Sequence, residues 1–460
     1  VGGRLTVNLD DPNESWTDND VGVMHANSSD LFFHTFLAGS QLNMNGTLNV
    51  DGLNISLAKL SIGGTANIVD GLANLRLQGG SAADPNRIEG GTINGPGELS
   101  AIDAVALHGH GTIGASIDFD GTNSELLAGD GTLTVSVAIL DVGVLGTEDN
   151  DGVLDVTIAW NTNNTSEVRL AGGELTGAAI TNDGAGGIRG RGLVSARVDN
   201  NSNIVADAGG TLEINNPLNN NNWDGTGNTG TLRAQAGSTL ALRDNASASF
   251  VGTVEANNAT VRSVGFELDF DPGSTLSLQN DGIYQSTHAT DIGGAVNVGA
   301  GTASRIDVND TVIFESTSAT MLTGDLIVQN PVTRVEAGAT FAGGGRLINA
   351  AGFELALEDG ADVDVLVQNR GVVSLGSSPG QTTGTDFEQT ANGVLTIELA
   401  GTSLADYDRM TLTGAADLDG ILAVSLIGGF NPVLNDVFTI ISGAGGILGT
   451  FAVEDFFSAP

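Results

Sequence analysis

Gly273-Ser274-Thr275-Leu276-Ser277-Leu278 is a turn residue followed by strict polar–apolar alternation. Leucine at every second position gives an extended segment one buried face, and the threonine and second serine take the wet face. That is the period of a strand and not of a helix. The unit recurs at Gly237-Ser238-Thr239-Leu240-Ala241-Leu242 and, shortened, at Gly210-Thr211-Leu212-Glu213-Ile214. A second form, Gly-x-Gly-x-apolar, occurs at Gly95–Leu99, Gly109–Ile113, Gly129–Leu133, Gly190–Val194 and Gly343–Leu347. Further alternating runs lie at Arg4–Leu9, Thr132–Leu140, Val153–Trp160 and Val394–Leu399. Turn pairs such as Asn45-Gly46, Asp120-Gly121, Asp281-Gly282 and Asp359-Gly360 punctuate them, and helical periodicity is nearly absent.

Repetition with a drifting period, often about 14 to 36 residues between units, fits coils whose strands are joined by loops of variable length. A sandwich or barrel also uses a strand every 8–12 residues. So many similar strand–turn units over residues 1–370 favour a β-solenoid. Inward Val, Ile and Leu build a continuous core, and Gly and Asn take the corners that need positive φ. At roughly 20–30 residues per coil, that stretch makes on the order of 12–18 coils. Two regions differ. Asn215–Gly230 (NNPLNNNNWDGTGNTG) is almost wholly polar and reads as a protruding loop, with Trp223 at its tip as a surface contact for a partner. Residues 371–460 are more apolar and read as a separate C-terminal β module.

The composition excludes several function classes. The chain has 460 residues, 67 of them Gly and none Cys, with 16 basic against 55 acidic residues and a net charge of −39. Without Cys there is no disulfide framework and no thiolate metal site. A surface this acidic repels phosphate, which argues against nucleic acid as a partner. No apolar run reaches the roughly 18 residues of a membrane-spanning helix. The chain is too apolar for disorder, and its glycines lack the period of three of collagen. Absence of Cys suits an exported bacterial protein. A start at Val1 is then expected to follow removal of a leader.

The C-terminal region carries a recognisable order of motifs. Ser374–Gly380 (SLGSSPG) is followed by Gly393–Gly401 (GVLTIELAG), Asp406–Gly414 (DYDRMTLTG), Leu418–Phe430, Asn435–Ile441 (NDVFTII) and Gly449-Thr450-Phe451. This order resembles the C-terminal part of autotransporter-type passenger domains and related bacterial surface proteins. The Gly-x-Gly units before it resemble the repeats of the same passengers. The resemblance implies a right-handed parallel β-helix, exported, displayed at a cell surface, and often adhesive or structural.

Candidate chemistry is sparse. Asp149, Asn150, Asp151 and Asp155 crowd oxygen donors into a turn before a strand, which suits Ca²⁺, although Thr147 breaks the EF-hand spacing. The alternative is a solvated Asp-Gly turn. Asp269/Asp271 and Asp417/Asp419 are weaker pairs, and Asp362 and Asp364 should share the wet face of one strand. Gly109–Gly114 (GHGTIG) matches G-x-G-x-x-G, but Ala115–Phe119 reads as strand. A dinucleotide site needs a helix there, so none is expected. His108 and His110 share a strand face and are candidates for acid–base or metal chemistry. His25, His34 and His288 are isolated, and Lys59 reads as a strand-edge residue. Trp160 ends an apolar strand as a core residue, and Trp16, Trp160, Trp223, Tyr284 and Tyr407 are too few for a sugar cleft. The expectation is a secreted or cell-surface structural or adhesive β-solenoid and not an enzyme. It would self-associate into fibres or a surface layer, with Ca²⁺ and surface glycans as candidate partners. The alternative is a polysaccharide-active β-helix hydrolase or lyase.

Overall fold

The computed structural model describes residues 60–456, apart from 70, 208, 216–222, 224–229, 245, 247 and 377–378. Before residue 60 it describes the backbone of the strands Thr6–Leu9, Ser15–Asp18, Val23–Ala26, Phe32–Thr35, Gln41–Met44, Thr47–Val50 and Ile55–Leu57. The side chains of Trp16, His25, His34 and Lys59 lie outside the described residues.

The fold is all-β. Among the described residues the only helical element is the single 3₁₀ turn Thr162–Asn164, and the strand ladders are parallel. Parallel pairing between strands about 22 residues apart leaves no room for crossover helices, so each strand lies on its equivalent in the previous coil. The result is a β-solenoid of about 14 turns. The chain divides into two compact units, residues 1–225 and 226–460.

In the first unit one inward column shows how the core is made. Leu107, Leu126, Leu145, Val168, Ile188 and Ile204 pair in register on successive coils, and all are fully buried. Burying such a side chain contributes about 1.5–3 kcal/mol. Each coil buries its apolar side chains only against its neighbours, so no single coil is stable alone. The Gly-x-Gly units are the corners of these coils. Gly109 and Gly111 have φ of +123° and +146°, and Gly190 and Gly192 have +110° and +129°. At Gly109 a Cβ would stand 2.1 Å from the Ile88 carbonyl oxygen of the previous coil. The motif is therefore a close backbone approach. The chain runs on as strand through Ala106–Phe119, so no helix follows to hold a pyrophosphate.

The second unit repeats the design with Leu232, Val254, Leu276, Val296, Thr320, Phe341 and Val363 in one buried column. Rings from other strands of the same coils pack in the core: Phe250 on Phe270 at 6.0 Å and Phe270 on Tyr284 at 5.3 Å between centroids, both edge to face. Buried amide side chains form a ladder in this core. Asn349 Nδ2 donates to Asn369 Oδ1 (3.1 Å), and Asn369 Nδ2 donates to Gln389 Oε1 (3.2 Å) and the Val394 carbonyl (2.9 Å). Gln389 Nε2 ends the ladder on the carbonyls of Asp419 and Ile421, both 2.9 Å away. The ladder of strands passes the expected boundary at 370/371 without a break. Glu354–Leu357 pairs with Val372–Leu375, which pairs with the strand Val394–Leu399. The shift in composition there changes what faces water and leaves the inward alternation intact.

One buried acid and one half-buried acid in this unit give a pH dependence of definite sign. Asp408 is fully buried and accepts from the backbone N–H of Gly380 (2.6 Å) and Glu398 (2.7 Å). Burial outweighs both hydrogen bonds and pushes its carboxyl up to about 7. Burial, followed by the charges of Glu267, Asp291 and Asp271, pushes Asp269 up to about 6 against one backbone hydrogen bond. Both groups bind a proton more tightly folded than unfolded. The folded state therefore holds more protons between about pH 4 and 7, and stability falls as pH rises through that window. Thermal melts should show the transition moving up as pH is lowered from 8 to 5. The rise between 8 and 6 should be smaller in Asp408→Asn, and a flat or opposite profile would contradict the assignment.

Candidate functional site

The constellation richest in chemistry lies in the first unit, on the residues that follow the Leu107 column. Arg87, His108, Leu127, Gly146, Arg169 and Arg189 pair in register on successive coils. Glu125 and Glu167 stand two residues before this column on their own strands. Glu148 follows the strand Ile139–Thr147. Stacking at about 4.8 Å brings these side chains together although the sequence scatters them.

His108 is the centre. Its Nε2 lies 3.1 Å from Glu125 Oε2 and its Nδ1 lies 3.4 Å from Glu148 Oε2. Each glutamate is also held by an arginine. Arg87 grips Glu148 with two nitrogens at 2.8 and 3.0 Å, and Arg169 Nη2 donates to Glu125 Oε1 at 2.8 Å. The chain of charges continues through Glu167, 3.9 Å from Arg169 and 3.6 Å from Arg189, to Asp207, which Arg189 also binds. Burial pushes the Glu148 carboxyl up, but the Arg87 hydrogen bond and the His108 charge outweigh it and hold it below its ordinary range.

A histidine between two carboxylates is the raw material of acid–base catalysis. A catalytic base, however, must come within hydrogen-bond reach of its substrate. The His108 side chain is 4% exposed, and both ring nitrogens face glutamates. This geometry clamps coils to one another. Bidentate pairs between arginine and carboxylate fix distance and register together. His110, expected to act with His108, is half-buried at the Gly-x-Gly corner, and the partners of His108 are the glutamates instead. Glu125, Glu148 and Arg87 were not legible as partners, since 61 residues separate Arg87 from Glu148. The readable signal was the register of the Gly-x-Gly units, which sets Arg87 beside His108.

The acidic turn is used by its own backbone. Asp149 Oδ1 accepts from the N–H of Asp151 (3.0 Å) and Gly152 (2.8 Å), an Asx turn. Asp151 is exposed, and Asp155 is half-buried on the strand that follows. Among the described residues, no three His, Asp or Glu side chains are grouped to hold a metal ion. Asp362 and Asp364 share the exposed face of their strand, as their alternation with Val363 and Val365 predicts.

Trp223 is corrected by the structure. Its side chain is 2% exposed, and its carbonyl accepts from Asn200 Nδ2 at 3.1 Å, so no exposed ring is available for a partner there. A large apolar ring gains more from the core than from a polar loop, whatever its neighbours in sequence. Trp160 is buried, as expected, but the strand Val153–Val156 stops before it and Trp160 opens the next one, Trp160–Asn161.

No family model, characterised protein or solved structure matches the chain.

Proposed function

We propose that the chain is a structural and adhesive β-solenoid, exported and displayed at a cell surface, that assembles end to end into a filament. This is the role that the resemblance to autotransporter passengers implies. The observation supporting assembly is the coil formed by Ile441–Gly443, Gly446–Gly449 and Val453–Phe456. These strands pair with the preceding coil. Ile447, Leu448, Val453 and Phe456 are 46–58% exposed, whereas the inward Leu395 and Ile397 of an earlier coil are fully buried. A cluster of exposed apolar side chains on a coil is covered by a further surface. A second copy of the chain supplies one.

The sealing of His108 supports a structural role over the polysaccharide-active alternative. Calcium enters this reading as a bridge between acidic faces, favoured by the net charge of −39. Negative-stain electron microscopy of the purified native material, with and without EDTA, tests both parts. The expected result is fibres, and their dissolution in EDTA would place calcium in the contacts. Dispersed single particles under both conditions would overturn the filament and direct attention to polysaccharide cleavage.

A further inference from the structure

A concavity in the second unit has nothing to do with the charge ladder. It is an open groove of about 690 Å³ lined by Gln235, Ala236, Asn257, Asn258, Asn280, Asp281, Ala300 and Gly301. Gln235 pairs with Asn257, which pairs with Gln279, in register on successive strands. The lining residues therefore occupy the same corner on four consecutive coils, about 4.8 Å apart. Five of them sit in the left-handed region: Ala236 at φ +56°, Asn258 at +47°, Asn280 at +50°, Asp281 at +64° and Gly301 at +141°. Ala236 has no side-chain hydrogen bond to compensate for that conformation. Such backbone is unfavourable for a non-glycine residue and concentrates where a site is being shaped.

The chemistry of the lining selects a class of ligand. Side-chain amides carry both donors and acceptors. Asn280 Nδ2 donates to Asn257 Oδ1 at 2.8 Å. The side-chain amides of Gln235 and Asn258 have no partner among the described residues. The one acid is already engaged, because Asp281 Oδ1 accepts from the N–H of Thr302 (2.8 Å) and Ala303 (2.9 Å). There is no cation for an anionic ligand, and the net charge repels polyanions. No large apolar side chain lines the groove to take a lipid tail or the hydrophobic residues of a peptide. We infer that this groove binds a neutral polysaccharide chain lying along the coil stack. Amides on successive coils would meet hydroxyls of successive sugar rings, whose spacing in an extended chain is close to that of the coils.

This inference rests on the adhesive half of the proposed function and is independent of the filament. The test is isothermal titration of the full chain with neutral oligosaccharides of two to six units (β-1,3- and β-1,4-linked glucans, mannans and galactans). Oligogalacturonate serves as the acidic comparison. The expected result is binding of a neutral series whose affinity climbs with length and levels off near four units, the number of coils spanned. In Gln235→Ala/Asn258→Gly affinity should fall about tenfold or more. Glycine accepts the φ of Asn258, so the thermal transition should stay in place. No binding of any neutral series, preference for the acidic oligomer, or equal binding by the double variant would overturn the groove. Fibres formed by that variant would show that the filament stands without it, and binding by unassembled protein would show the converse.

Discussion

Asn369→Ala should be among the most damaging single substitutions in the second unit, lowering stability by about 3–5 kcal/mol. The Asn369 side chain is fully buried, and four hydrogen bonds end on it. It donates to Gln389 and the Val394 carbonyl, and it accepts from Asn349 Nδ2 and from the Gly371 N–H at 3.1 Å. Alanine removes all four at once. The Gly371 N–H, Gln389 Oε1 and the Val394 carbonyl then stay buried without that partner, and each such group costs about 1–3 kcal/mol. Asn349 keeps the Val372 carbonyl at 2.8 Å, so the ladder breaks on one side first. Asn297→Ala is the control, because Asn297 is on the exposed face of its strand and should change stability by less than about 0.5 kcal/mol. Denaturant midpoints of the two variants make the comparison. Equal, small shifts would show that the amide ladder contributes nothing beyond filling space.

Gly109→Ala tests the coil corner. Two costs add. The φ of +123° is unfavourable for an L side chain, and the new methyl would stand 2.1 Å from a backbone oxygen of the previous coil. Neither the corner nor the Ile88 carbonyl belongs to a flexible side chain, so the coils themselves must part. Overpacking and backbone strain together suggest a loss of about 3–5 kcal/mol. Gly352→Ala separates the two terms. Its φ is +87°, but nothing lies within 4 Å of the added Cβ. That variant should lose only the conformational part, about 1–2 kcal/mol. If both variants lose the same amount, the Gly-x-Gly units serve backbone conformation alone and the close approach is incidental.

These residues also show where the sequence is readable. Alternation in Thr275–Leu278 and Val394–Leu399 predicts strands with one buried face, and the structure places Leu276, Leu278, Leu395 and Ile397 in the core. Period-two pattern is local, so it survives without knowledge of the fold. Register is not local. Nothing in the vicinity of Arg87 announces Glu148, and only the stacking of coils creates the cluster around His108. The amide groove is hidden for the same reason, since Gln235, Asn258 and Asn280 look like ordinary turn residues until successive corners are aligned. Trp223 misleads in the other direction: the polar composition of 215–230 describes its neighbours in sequence, while burial is decided by what the fold brings around the ring. Asp149 is a case of competition. An aspartate before Gly152 can coordinate an ion or cap its own turn, and the two backbone N–H groups are always within reach.

The central claim is that coils of one copy continue those of the next along a filament axis. X-ray diffraction from aligned fibres tests it most directly. Axial stacking predicts a reflection at about 4.8 Å on the meridian, because the spacing between paired strands then runs parallel to the fibre. The same reflection on the equator, or fibres that lack it, would mean that the copies associate side by side and that the exposed apolar cluster of Ile447, Leu448 and Val453 has another partner.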